Sequence, residues 1–133
     1  MKDRESLYPQ DWLRIADKDW KRANQLLKKH DPELAGFCLQ QAIEKYLTAF
    51  LLSNKWKLRR IHDLDALLDD AIIYEKSLEN YRSVCQKISG FYFVERYPLM
   101  LDSGLVEDDV RLAIEKVEGL VLWIRAKLTR KKR

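Results

Sequence analysis

The sequence predicts an all-α protein, an up-down antiparallel helical bundle of about five helices, four-helix-bundle-like in plan. Three observations carry this. Apolar residues recur at helical period over long stretches, most clearly from Leu34 to Leu52 and from Glu107 to Arg130. Gly and Pro number only 4 and 3, too few for the many turns of an all-β fold. The chain is 47% hydrophobic and 35% charged, the balance of a small helical domain with a real core and wet outer faces.

The first helix is expected from Gln10 to Lys29, behind a flexible leader of residues 1–8. Pro9 suits a first turn and Asp11 the positive end of a helix. Leu13, Ala16, Trp20, Ala23 and Leu27 give its apolar seam. Asp31 then caps a second helix that has Pro32 in its first position and runs to Ser53. This central helix has a broad apolar face, from Ala35 and Leu39 through Ala42, Ile43, Tyr46 and Leu47 to Phe50. Gln40, Gln41, Glu44 and Lys45 fill the remainder of its surface. The connection between these two helices is short, so they should be antiparallel neighbours.

A basic connector follows, from Asn54 to Ile61, which needs no regular structure. The third helix should run from Asp63 to Glu75 on Leu64, Leu67, Leu68, Ala71 and Ile72. A break is expected from Ser77 to Asn80, and a fourth helix from Glu79 to Val94. Pro98 disfavours helix at Tyr97, so Arg96-Tyr97-Pro98 is a stop. The last helix, Glu107 to Arg130, has Val110, Ala113, Val117, Leu120 and Ile124 as its seam, acids at its start and bases at its end.

The length, 133 residues, suits one domain, here residues 9–130 with a basic tail at 131–133. Cys38 and Cys85 fall at apolar helical positions and read as free core thiols of a reducing cytosol. No CxxC pair or His cluster points to a metal, and no glycine-rich phosphate loop or other cofactor motif occurs. The N-terminus lacks the apolar core of a signal peptide, and no run approaches the ~20 apolar residues of a membrane span. A cytoplasmic protein is expected. Net charge is +4, with the surplus crowded at the C-terminus. Arg125 and Lys127 read as solvated cations at a helix end, whereas Arg130 to Arg133 could equally hold phosphate. Trp12, Phe37, Phe93 and Trp123 exceed what a monomer core requires, which leaves ordinary partial burial or a homodimer interface.

The run Ala35 to Leu51 (AGFCLQQAIEKYLTAFL), with His62-Asp63-Leu64 and Arg96-Tyr97-Pro98 in that order, resembles the HEPN domain family over about Trp12 to Leu128. The resemblance implies a compact, usually dimeric helical bundle. Many such domains are metal-independent endoribonucleases with an Arg, four to six intervening residues and then a His. Many are toxins beside a minimal nucleotidyltransferase, and others bind nucleotide or RNA without cleaving it. Arg96 stands where the motif arginine would. Positions 101 to 103, where the His would follow, hold Leu101, Asp102 and Ser103.

The candidate catalytic residues are therefore Arg96, Asp102 and His62. Asp102 would be a weak base at an ordinary carboxylate pKa, and its charge would repel a phosphate. His62 reads either as a helix-start residue bonded to a backbone group or carboxylate, or as a cleft residue supported by Arg59 and Arg60. Candidate nucleotide or phosphate ligands are Arg96, Tyr97, Lys45, Gln41, Arg59 and Arg60, because a guanidinium presents a bidentate fork to phosphate. Gln40, Gln41, Glu44 and Lys45 also fit a buried polar network between helices, and that reading is preferred. For Arg96 itself, an ion pair with Glu44, Glu95 or Asp102 is an equal reading. The sequence thus points to a dimeric nucleotide- or RNA-binding partner of a minimal nucleotidyltransferase, in a toxin-antitoxin-like pair and without the usual ribonuclease activity. The alternatives are an endoribonuclease using Arg96 with a non-standard acid or base, and a purely structural interaction module.

Overall fold

The computed structural model describes residues 5–96 and 105–129, the side chains of residues 92–96 excepted. Five α-helices follow in order: α1 (Pro9–Lys28), α2 (Pro32–Ser53), α3 (Leu64–Tyr74), α4 (Arg82–Arg96) and α5 (Glu107–Thr129). A 3-10 segment, Lys76–Tyr81, joins α3 to α4. Tyr97, Asp102 and the tail 131–133 lie outside the described residues, as do the side chains of Phe93 and Arg96.

Side-chain contacts set the helix directions. Asp17 of α1 meets Tyr46, and Asp19 meets Lys45, so α1 and α2 are antiparallel. Gln10 donates to the Leu128 carbonyl at 3.1 Å, and His30 meets Glu107 at 2.6 Å, so α5 also opposes α1. Phe91 and Leu105 both close on Gly36, while Tyr81 lies against Gly119, so α4 opposes α5. The result is an up-down bundle of α1, α2, α4 and α5. Helix α3 lies beside α2, from the level of Gln40 to that of Phe50.

The caps follow from the sequence. Asp31 accepts from the Leu34 N–H at 3.3 Å, with Pro32 in the first turn. Asp63 accepts from the Asp65 N–H at 3.0 Å. The three-residue connection between α1 and α2 is sharp because His30 takes the left-handed conformation, φ 64°. Ala35, Leu39, Ala42, Ile43, Tyr46, Leu47 and Ala49 of α2 are all fully buried, as its periodicity requires. On α5 the whole expected seam, from Val110 to Ile124, is buried.

Three expectations change. The break after α3 is a 3-10 turn, and α4 starts at Arg82 rather than Glu79. A single apolar residue, Leu78, is drawn into the core there while its neighbours Ser77, Glu79 and Asn80 stay exposed. On α1, Trp20 and Leu27 are only half-buried, and Asp19 is buried instead. Arg125 is not a solvated helix-end cation. Its Nε donates to Asp17 at 2.8 Å and a second nitrogen to the Tyr46 hydroxyl at 3.1 Å. Burial, then the Asp17 carboxylate, holds the Tyr46 hydroxyl protonated far above an ordinary tyrosine.

Both cysteines are free. Cys85 is buried, which pushes its thiol up to about 12, and Cys38 is half-buried. Trp12 and Trp123 are half-buried within the chain, the latter edge-on to Phe50 at 5.2 Å. Arg82 ties the start of α4 to α3. It meets Asp65 at 2.7 Å, Asp69 at 2.8 Å and Glu79 at 2.9 Å.

Gly119 has a packing reason. A Cβ there would lie 2.5 Å from the Tyr81 hydroxyl but 3.6 Å from the ring carbon that bears it. Gly119→Ala should gain no stability in the wild-type chain. In a Tyr81→Phe background it should stabilise by about 0.5–1 kcal/mol, the helix preference of Ala over Gly. A denaturant-unfolding cycle over the four proteins measures this coupling, and additive effects would refute it.

The Arg82 guanidinium, first through its hydrogen bond, holds the Asp65 carboxyl below the usual carboxylate range. A depressed folded-state pKa contributes stability that is present above the unfolded value, near ~3.9, and is lost as pH falls through the folded value. Asp65→Asn should therefore lower the unfolding temperature at neutral pH and flatten its fall below about pH 4. Thermal melts of both proteins across that range would show the two curves converging in acid.

Candidate functional site

Helix α2 is buried on most of its surface, yet one row of it is polar. Gln40 lies in that row and is fully buried. A buried amide must be hydrogen-bonded or it destabilises the fold, so the row dictates its own surroundings. The Gln40 amide nitrogen donates to the His62 carbonyl at 3.0 Å and to Glu44 Oε1 at 3.2 Å. Its oxygen accepts from Gln41 at 2.7 Å. Gln41 in turn accepts from Lys45 Nζ at 3.2 Å, and Lys45 donates to Asp19 of α1 at 2.9 Å. Arg22 closes the far end on the other Asp19 oxygen, at 2.9 Å. One continuous chain of polar contacts thus runs from Arg22 to His62, across α1, α2 and the start of α3.

The connector between α2 and α3 borders this row. His62 Nδ1 sits 3.2 Å from Glu44, its imidazole largely exposed. His62 thus meets a carboxylate of α2 and also lines a small cleft together with Arg59 and Arg60. Arg59 meets Asp70 at 2.6 Å and lies over the Trp56 ring, 5.8 Å from its centre. Arg60 meets Glu5 at 2.8 Å and is otherwise open to solvent. Residues 5–8 lie against α1. Ser6 donates to Asp11 at 2.7 Å, and its carbonyl accepts the Trp12 indole N–H at 2.8 Å. Two clefts meet at Glu5 and Trp12. One, about 240 Å³, runs along Trp12 and Ile15 to Lys45. The other, about 60 Å³, lies among Thr48, Arg60, Ile61 and His62.

The six expected phosphate ligands therefore separate. Lys45 and Gln41 are engaged within the polar row. Arg59 and Arg60 sit together on the connector, each on a carboxylate. Arg96 ends α4. Ser89 of α4 touches Leu64 and Asp63, and the helix from there to Arg96 is about 10 Å long. The start of α3 and the end of α4 thus stand on different levels of the bundle, with Arg96 toward the Gly36 end. Asp102, Tyr97 and the side chains of Glu95 and Arg96 lie outside the described residues, whereas Glu44, the other partner expected for Arg96, meets Gln40 and His62. Among the described residues, no group of His, Cys, Asp and Glu is placed to hold a metal ion. No described helix is long and apolar enough to cross a membrane.

Sequence reasoning missed Asp19 and Glu5. Asp19 had a signal, since it interrupts an apolar seam, but its partner is on another helix. Glu5 had none.

The HEPN domain matches this chain over residues 9–127, from the start of α1 almost to the end of α5. The chain belongs to the HEPN domain family. Among solved structures, TT1696 from Thermus thermophilus is similar, with a TM-score of 0.79 at 21% identity over 90% of this chain and 97% of that one. That likeness is one of fold. No curated protein matches the chain.

Asp19 holds two cations in the wall between α1 and α2. Asp19→Ala should destabilise the protein by about 1–3 kcal/mol, because Lys45 is then left partly buried without its carboxylate partner, with only the Gln41 amide to accept from it. Arg22→Ala, at the exposed end of the same chain, should cost less than about 0.5 kcal/mol. Urea unfolding of the two variants tests the order, and equal losses would contradict it.

Proposed function

We propose that this HEPN protein is a homodimeric binding module for nucleotide or RNA, a partner of a minimal nucleotidyltransferase in a toxin-antitoxin-like pair, and that it lacks the usual HEPN ribonuclease chemistry. The observation that carries the reading is the sequence after Arg96. Leu101, Asp102 and Ser103 stand where the motif histidine is required, so the proton shuttle near neutral pH is missing there. The chain has 2 histidines. His62 lies on Glu44 of α2, and His30 lies on Glu107 between α1 and α5. Phosphate recognition in this reading rests on Arg96, with Arg59 and Arg60 on the connector as a second basic edge. Lys45 and Gln41 act from behind as part of the polar row. Half-buried Trp123 and Phe37 supply apolar surface for the dimer.

Purified protein should bind labelled RNA with an affinity that falls as salt is raised, and should cleave none of it with or without EDTA. Arg96→Ala should weaken binding by about tenfold, the loss of one charge-assisted phosphate contact. Metal-independent cleavage that disappears in Arg96→Ala would overturn the reading in favour of a nuclease.

A further inference from the structure

Arg60 is the most exposed cation of the connector's ion pairs, its side chain 72% accessible, and its partner is unusual. Glu5 is distant in sequence and belongs to no helix. It is brought to Arg60 by a short strap whose every anchor is polar: the Tyr8 N–H on the Ser6 hydroxyl at 2.9 Å, that hydroxyl on Asp11, and the Ser6 carbonyl on the Trp12 indole. The carboxylate end of the strap lies where the two clefts meet, with Trp12 as the wall between them.

We propose that the strap is an internal stand-in for single-stranded RNA: Glu5 occupies the seat of a backbone phosphate on Arg60, and Trp12 is the platform on which the adjoining base stacks. The inference rests on the RNA-binding reading above and gives it a second contact site, remote from Arg96. Three arguments support it. An exposed ion pair contributes little stability, so a phosphodiester displaces Glu5 at small cost and makes the stronger, forked contact. Glu5, Ser6, Asp11 and Lys45 border the groove beside Trp12, but the surface it exposes is mostly apolar, which suits a flat base rather than a second phosphate. The strap closes that groove by hydrogen bonds to Trp12 and Asp11, which water replaces when it lifts. A single-stranded ligand has phosphate and base at the spacing of one nucleotide. A paired duplex hides its bases and fits only the Arg60 half.

The test is fluorescence anisotropy of a labelled oligouridylate with the full chain and with Glu5→Gln, Arg60→Gln, the double variant and Glu118→Gln. The last removes one exposed acid on the outer face of α5. Glu5→Gln should tighten binding by about two- to fivefold, the worth of a surface ion pair. Arg60→Gln should weaken it, and the benefit of Glu5→Gln should vanish in the double variant. Binding should also quench tryptophan emission, and Trp12→Phe should reduce that quench. Wild-type binding with no gain in Glu5→Gln, or an equal gain in Glu118→Gln, overturns the strap and leaves the RNA-binding reading standing. Absence of binding by every protein overturns both.

Discussion

The polar row on α2 is the constraint on which the rest of the structure depends. A helix that packs against α1, α3, α4 and α5 has almost no surface left for water. Gln40 is nevertheless placed in it with no exposure at all. Its amide cannot be left unpaired at less than a few kcal/mol, so the neighbouring elements are positioned to serve it. The His62 carbonyl at the entry to α3 supplies one acceptor and Glu44 another. Lys45 reaches outward to Asp19, which sets the register of α1 against α2. Apolar packing supplies most of the stability of such a bundle. The polar row favours one alignment of its helices, since a slip by one turn would take the His62 carbonyl from Gln40 and the Lys45 ammonium from Asp19.

The second network, on the other side of α2, does similar work with fewer residues. Tyr46, Asp17 and Arg125 join three helices, and Trp20 lies edge-on to the Tyr46 ring at 6.4 Å. Each residue removes the others' reason to face solvent. Arg125 stays charged although burial opposes it, because Asp17 and the Tyr46 hydroxyl more than compensate. The two networks bracket α2, and small residues, Gly36 at one end and Ala42 in the middle, let the flanking helices approach.

The fold was legible because helical periodicity is written in runs of apolar residues, and those of α2 and α5 are long. Asp31-Pro32 and Asp63 placed helix starts to within a residue for the same reason: capping chemistry is local. What escaped was set by distant partners. Asp19 looks like an interruption of the α1 seam until Lys45 is seen opposite it. Arg125 looks like a solvated base until Asp17 appears, 108 positions away in the chain. The 3-10 turn before α4 depends on one leucine finding room in the core. The candidate site was legible only in composition. The cations of the connector and the glutamines of α2 stood out. The spacing of the glutamines already favoured a buried network, whereas the carboxylates that Arg59 and Arg60 meet, Asp70 and Glu5, could not be read from spacing.

Arg82 faces Asp65, Asp69 and Glu79 at once. One guanidinium cannot neutralise three carboxylates, so the corner where α3 meets α4 keeps a negative potential even though the protein as a whole is cationic. A polyanion drifting toward the molecule is turned away from that corner well before any contact forms. The junction that holds the bundle together therefore also gives it an electrical front and back, set by the same side chains that anchor α4.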